Sequence, residues 1–318
     1  MTTTDQHVLV TGGAGFIGKA VVHGLLERGV EVTVADLSSQ GHERVRCITG
    51  DLRRPEILDR AMSRPVTAVV HLAAETSVLA SMSHPVEVYE TNVALTLALL
   101  ERCRIDGVRS FVLASTNAVV GDVGDDMIEE ETPLRPLTPY GATKAAAEML
   151  VSAYSASYGI AGAAARLTNV YGPGMQQKDS LVARMMRACL GEATVSIYGD
   201  GTQVRDYLYI DDAVQGILLC LDRGLVGPVT VGSGTSTSVN DLHRLVAAVT
   251  GVDLVAPHVP PRPGEMPAVR VRIDRARRLG FQPDTTLRSG LSSTWESFAG
   301  RRHLDETKRS GPVRDPRR

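Results

Sequence analysis

The run from Val8 to Gly18 (Val-Leu-Val-Thr-Gly-Gly-Ala-Gly-Phe-Ile-Gly) constrains this chain more than any other stretch. Its three leading apolar residues read as a short buried strand. Glycines follow at 12, 15 and 18, and the amphipathic segment Lys19 to Glu27 reads as a helix. In such a strand–turn–helix unit each glycine has its own task. Gly12 permits the tight turn, Gly15 lets the backbone approach a pyrophosphate, and Gly18 lets the helix pack close against the strand. The unpaired amides and the dipole at the helix start favour phosphate. A second strand, Glu31 to Ala35, ends at Asp36, whose carboxylate suits the adenosine ribose hydroxyls and repels a 2′-phosphate. The expected ligand is a dinucleotide, NAD ahead of NADP.

Strand and helix signals then alternate. Thr67 to Leu72 and Ser110 to Ala114 read as buried strands, and Gly162 to Leu167 as a further one. Pro55 to Met62, Pro85 to Arg104 and the alanine-rich Tyr140 to Tyr158 read as helices. Uninterrupted apolar strands between helices predict an α/β protein: a Rossmann-type, doubly wound parallel sheet covered on both faces. After Leu167 the rhythm changes to loops with Gly and Pro and shorter helices, such as Leu181 to Leu190 and Val239 to Val249. The expected division is a dinucleotide-binding domain over residues 1–168 and a smaller C-terminal substrate-binding lobe over 169–298, partly interleaved with it. Residues 299–318, mostly basic with breakers at Gly311-Pro312 and Pro316, read as a disordered tail.

Bulk properties narrow the function classes. A formal net charge of −2 gives no global pull toward nucleic acid or an anionic membrane. No stretch is long and apolar enough to span a bilayer, and the apolar run at Val8 is broken by glycine too soon for a signal peptide. Cys47, Cys103, Cys189 and Cys220 lie far apart, with no metal-ligand or redox spacing, so a reduced cytoplasmic protein without a metal is expected.

The chemistry concentrates in a few positions. Tyr140 and Lys144 stand four apart on one helix and so share a face. With eight tyrosines and four lysines in 318 residues, chance supplies about 0.1 such pairs. An ammonium near a phenol lowers its pKa and makes it a usable base for an alcohol proton. Ser115 and Thr116 follow a strand end, where active sites of doubly wound sheets lie, and a hydroxyl there can bond a reacting oxygen. Arg205 and Arg262, on late loops, offer guanidinium forks for phosphate near Asn169, although salt bridges to Asp206 and Glu265 are the plainer use. His71, alone after a buried strand, reads as a packed structural residue.

With these residues in place, the chain resembles the extended short-chain dehydrogenase/reductase family, and within it the nucleotide-sugar epimerases and dehydratases. The resemblance runs over about residues 7–298. It rests on Thr11 to Gly18, Gly50-Asp51-Leu52, His71-Leu72-Ala73-Ala74, Asn92, Tyr140 to Lys144, Asn169 to Pro173, Tyr198 to Asp206 and Arg262 to Glu265. It implies that Tyr140 is the base, that Lys144 lowers its pKa and holds the nicotinamide ribose, and that Thr116 assists. It implies NAD contacts from Gly12, Gly15, Phe16, Ile17, Asp36, Asp51, Leu52, Leu72, Ala73, Ala74 and Asn92, together with Tyr140 and Lys144. Substrate contacts are implied for Thr116, Asn117, Tyr140, Asn169, Arg205, Arg262 and Val269. The substrate would be a nucleotide-diphosphate sugar, a UDP-sugar ahead of a dTDP-sugar. A homodimer through Pro85 to Arg104 and Tyr140 to Tyr158 is also implied.

Departures from the pattern select among activities. The family's 4,6-dehydratases carry an Asp-Glu pair after the catalytic Thr, where this chain has Asn117 and Ala118. Its decarboxylases need a Glu at the second of these positions and an Arg after the Lys, where this chain has Ala118 and Ala145. Tyr, Lys and Thr alone suit reversible oxidation at C4, so a 4-epimerase is expected, with a dehydratase or keto-sugar reductase, or an idle NAD-binding protein, as alternatives. Val269 falls where some epimerases carry a bulky residue, and its small size is expected to admit a 2-acetamido or otherwise enlarged sugar.

Overall fold

The computed structural model describes residues 6–38, 44–261 and 268–309. Seven strands build the central sheet: β1 (His7–Thr11), β2 (Glu31–Asp36), β3 (Arg46–Thr49), β4 (Ala68–His71), β5 (Ser110–Thr116), β6 (Ala161–Leu167) and β7 (Gly227–Val231). Their spatial order is β7-β6-β5-β4-β1-β2-β3, and every neighbouring pair is parallel. The order reverses between β1 and β4, the kind of point at which doubly wound sheets open a ligand crevice beyond their strand ends.

Alternation along each strand feeds two cores. Val8, Val10, Val70 and Val112 face the helix α1 (Phe16–Glu27) and the helix Ile210–Asp222, in a cluster with Val21, Leu25, Ala213 and Ile217. Leu9, Val69, Phe111 and Leu113 face the other way and pack with Leu99, Leu100, Ala147 and Val151. Those partners come from α5 (Leu95–Asp106) and α6 (Pro139–Tyr158). Burial on both faces accounts for strands that read as continuous apolar runs.

Ahead of α5 lie α2 (Pro55–Ala61), α3 (Val78–Ser83) and α4 (Pro85–Tyr89). The helix expected over Pro85 to Arg104 is helical throughout, but Glu90–Ala94 is a π-helical turn between α4 and α5. α6 begins with Pro139 at its first position and Thr138 as N-cap, the Thr138 hydroxyl accepting from the Gly141 N–H at 3.2 Å.

The chain divides into two compact units. The first comprises Met1–Val170, Val204–Ser236 and Gly264–Asp284, so β7 and the helix before it return to the central sheet from late sequence. The second comprises Tyr171–Gln203, Thr237–Pro263 and Thr285–Arg318. Within it the helices Leu181–Cys189, Val239–Thr250 and Leu287–Arg309 pack together. That last helix corrects one expectation: it runs through Gly300 to Arg309, because no breaker intervenes before Gly311-Pro312. Residues 310–318 of the expected tail lie outside the described residues. Among the described residues, no helix is long and apolar enough to cross a membrane.

Candidate active site

The glycine-rich turn is shaped by backbone close approaches. Gly12 has φ +70°, and a Cβ there would lie 2.6 Å from the Ala73 nitrogen. A Cβ on Gly18 would lie 2.1 Å from the Gly12 carbonyl oxygen. Gly15 is the N-cap of α1 and no side chain caps that helix, which leaves its first-turn amides, from Phe16 and Ile17 onward, free of side-chain capping. Asp36 reaches the same turn from the end of β2. Its Oδ2 accepts from the Ala14 N–H at 2.9 Å and its Oδ1 from the Ser38 N–H at 3.0 Å. Its remaining lone pairs can take ribose hydroxyls. An uncapped helix start, a turn that excludes side chains and a carboxylate beside it fit the pyrophosphate and adenosine ribose of a dinucleotide.

The other expected cofactor positions surround this turn. Asp51 and the buried Leu52 follow β3. Arg53 forks onto Asp51, with Nη2–Oδ2 at 2.7 Å, and that hydrogen bond chiefly holds the Asp51 carboxyl below the usual range. Leu72, Ala73 and Ala74 follow β4. The Leu72 N–H donates to the Thr11 carbonyl and the Ala73 N–H to the Thr11 hydroxyl. Asn92 sits in the π-turn with its side chain spent on protein: Oδ1 accepts from the Glu75 N–H, and Nδ2 donates to the Glu75 carbonyl and the Thr143 hydroxyl. It thus ties the loop after β4 to α6, a role its sequence context did not reveal.

A buried polar chain runs beneath these residues. The Thr11 hydroxyl, which accepts from the Ala73 N–H, also hydrogen-bonds His71 Nδ1 at 2.7 Å. His71 Nε2–H then donates to Thr96, whose hydroxyl donates to the Asn92 carbonyl. Thr96 spends its own proton on Asn92, so Nε2 carries the ring proton, and Nδ1 of the neutral imidazole accepts from Thr11. Burial, reinforced by the Lys144 charge, pushes the His71 pKa down to about 3. His71 is a strut, as its sequence context suggested.

Thr116 ends β5, Tyr140 opens α6, and Lys144 lies one turn further. The Thr116 hydroxyl accepts from the Ala118 N–H at 3.2 Å, and it stands by the Tyr140 phenol, where it favours the phenolate. Asn117 starts the short helical turn Asn117–Val119 and is buried. The electrostatics differ from expectation. Burial is the larger influence on the phenol and pushes it up to about 12, with only the Thr116 bond opposing. Lys144 is 3% exposed, and burial pulls it down to about 8 against the Glu148 charge. Lys144 has left water and Tyr140 is half-buried, and desolvation is the first influence on each.

Asn169 and Arg205 also belong to this unit. Asn169 Nδ2 donates to the Asp206 carbonyl at 2.9 Å, and Arg205 Nη1 to the Val204 carbonyl at 2.8 Å. Asp206 is buried and anchors the loop after β7, accepting from Thr168, Ser233 and Thr235. Val269, expected beside the sugar, is instead 1% exposed and belongs to the apolar cluster with Val271 and Ile273. Its N–H donates to the Val204 carbonyl, and this pairing draws its strand into the core. Arg262 lies outside the described residues.

The model of the NAD-dependent epimerase/dehydratase family matches residues 8–232. The chain belongs to that family. NAD is its cofactor, in agreement with the turn and with Asp36. Similar proteins include a dTDP-glucose 4,6-dehydratase of Streptomyces griseus, 36% identical over 92% of this chain and 93% of that one. A UDP-glucose 4-epimerase of Azospirillum brasilense is 33% identical over 93% of each chain. The structure of a Thermus thermophilus UDP-glucose 4-epimerase in complex with NAD is similar with a TM-score of 0.86 at 36% identity, covering 93% of this chain and 99% of that one.

The family motifs do not single out a buried cluster beside the site: Ser115, Glu148 and Arg166. Arg166 interrupts the apolar run Ala-Gly-Ala-Ala-Ala-Arg-Leu of β6, and Glu148 follows Lys144 by one turn on the buried face of α6. A charge inside each apolar pattern was the available signal.

Proposed function

We propose that this chain is an NAD-dependent nucleotide-sugar 4-epimerase with Tyr140 as its base. The observation that carries the reading is Thr116 at the end of β5 beside the Tyr140 phenol, with Lys144 buried one turn away and no carboxylate at 117 or 118. When bound, NAD supplies the acceptor for the C4 hydride, its donor on return, and a positive ring beside the phenol. Tyr140 takes the proton of the C4 hydroxyl as that carbon becomes a carbonyl, and gives it back when the alcohol reforms. Thr116 bonds the same oxygen and keeps it within reach of the phenol. Lys144 holds the nicotinamide ribose. First-turn amides of α1 hold the pyrophosphate, and Asn169 and Arg205 stand for the substrate diphosphate. A dehydratase must also expel water, and Asn117 and Ala118 offer no acid for that step. The similarity to a dTDP-glucose 4,6-dehydratase keeps that activity as the second reading.

A second copy of this chain is proposed to cover the helical face outside α6. Val86, Tyr89, Leu97, Met149 and Tyr158 are all exposed there, on α4, α5 and α6. The four cysteines are free thiols, which supports a reducing, cytoplasmic setting.

The test uses purified protein without added reductant and, separately, UDP-glucose, UDP-N-acetylglucosamine, UDP-glucuronate and dTDP-glucose. A product of unchanged mass with inverted C4 coupling in the proton spectrum is expected. Loss of water would replace the reading with a dehydratase.

A further inference from the structure

We propose that Glu148 is a positioning residue for the Thr116–Tyr140 pair, locking the end of β5 to α6. This rests on the reading of Tyr140 and Thr116 given above. Glu148 lies one turn beyond Lys144 and two beyond Tyr140 on the same face of α6. Ser115, the residue before Thr116, donates its hydroxyl to Glu148 Oε1. Arg166 of β6 donates to the same carboxylate through Nε, at 3.1 and 3.2 Å, and through Nη2, at 2.8 Å. Ser115 and Arg166 are direct partners in the β5–β6 register, so one carboxylate reaches down from the helix onto two adjacent strands. Arg166 is itself fixed, its Nη1 donating to the Glu130 carbonyl at 3.0 Å, and Glu130 Oε1 accepts from the Thr230 N–H of β7.

Stability alone does not account for this arrangement. Arg166 and Glu148 are 3% and 7% exposed, and apolar side chains of similar volume commonly serve as well as a buried ion pair or better. A buried, multiply bonded carboxylate provides fixed geometry instead. The helix bearing the base and the strand bearing its hydroxyl partner are separate elements, and proton transfer tolerates little misplacement between them. The lock joins them one residue before Thr116 and one turn after Lys144.

The decisive variant is Ser115→Ala, which deletes one hydroxyl and leaves the Glu148–Arg166 pair whole. It is measured alone and combined with Thr116→Val, alongside Glu148→Gln and Tyr140→Phe. Ser115→Ala should lower kcat roughly tenfold while KM and NAD affinity stay within about twofold. In the Thr116→Val background the same change should add nothing, because Ser115 acts through Thr116. A second readout needs no turnover and no cofactor. With the tyrosine ring Cζ labelled with carbon-13, the Tyr140 signal is the one missing in Tyr140→Phe. Ser115→Ala should move it toward its position in Thr116→Val. An unmoved Tyr140 signal overturns the proposal, whatever the change in Tm. So does a loss of kcat that is the same with and without Thr116. If Thr116→Val and Tyr140→Phe keep full turnover, the base assignment fails, while the carbon-13 signal still decides the lock.

Discussion

Lys144 should destabilise the NAD-free protein that needs it. Its ammonium is 3% exposed, and among the described residues no carboxylate forms an ion pair with it. Burial lowers its pKa from 10.5 to about 8. At about 1.4 kcal/mol per pH unit, that difference is about 3 kcal/mol of native stability withheld at neutral pH. Below pH 8 both folded and unfolded chains carry the charge, and the cost is complete. Between 8 and 10.5 the folded chain has lost the proton and the unfolded chain still holds it, so the cost shrinks as pH rises. Lys144→Met keeps the length and the apolar stem and removes the charge. In the NAD-free protein it should therefore raise stability by about 3 kcal/mol at pH 7, which is about 5 °C in Tm for a chain of this size. The gain should fall below about 1 kcal/mol by pH 10. Turnover and NAD affinity should drop together. The assay is urea unfolding of both proteins, stripped of NAD, at pH 7, 8.5 and 10. A variant no more stable than the parent at pH 7, or a gain that persists unchanged at pH 10, would refute the reasoning.

The remaining expectations are briefer. His71 is neutral when folded, so as pH falls from 6.5 toward 3 the unfolded chain takes up a proton that the folded chain refuses, costing about 3 kcal/mol by pH 4.5. Unfolding midpoints of His71→Gln across pH 4.5–7 should be correspondingly flatter than the parent's. Gly18→Ala drives a Cβ into the Gly12 carbonyl and should abolish NAD binding by calorimetry, whereas Gly29→Ala, with open space around it, should cost only about 1 kcal/mol of backbone strain. Tyr140→Phe should cut kcat at least 100-fold while NAD and UDP affinities hold. Asp36→Ser should narrow the preference for NAD over NADP, read as a ratio of dissociation constants, by removing the charge that faces a 2′-phosphate.

The sequence was most informative where one local pattern determined the outcome. Gly12, Gly15 and Gly18 between an apolar run and an amphipathic one predicted a turn whose backbone contacts leave no room for a side chain at Gly12 or Gly18 and crowd one at Gly15. Strand expectations such as Thr67 to Leu72 fell within a residue of Ala68–His71 at each end, because burial on both faces demands an unbroken apolar run. What escaped prediction depends on distant partners. β7 is a five-residue segment whose identity as a sheet strand comes from pairing with β6 more than sixty residues earlier. The π-turn at Glu90–Ala94 differs from α-helix by a single inserted residue, which apolar periodicity does not register. Val269 matched a family position in order along the chain, yet its backbone pairing with Val204 turned it into the core.

Buried polar residues, several of them read for other roles in the sequence, join the elements around the candidate site. From Thr11, at the mouth of the glycine turn, hydrogen bonds pass through His71 and Thr96 to Asn92, and from Asn92 to Thr143, whose hydroxyl donates to the carbonyl of Tyr140. A second set passes from Thr116's neighbour Ser115 through Glu148 and Arg166 to β6. The glycine turn and the end of β5 that carries Thr116 thus each reach α6 by their own buried route. Neither route adds apolar area to the core, and each member would be costly if left unpaired. Such groups are retained where geometry matters more than stability. Here both routes pass through the helix that carries Tyr140 and Lys144, the element proposed to face cofactor and substrate together.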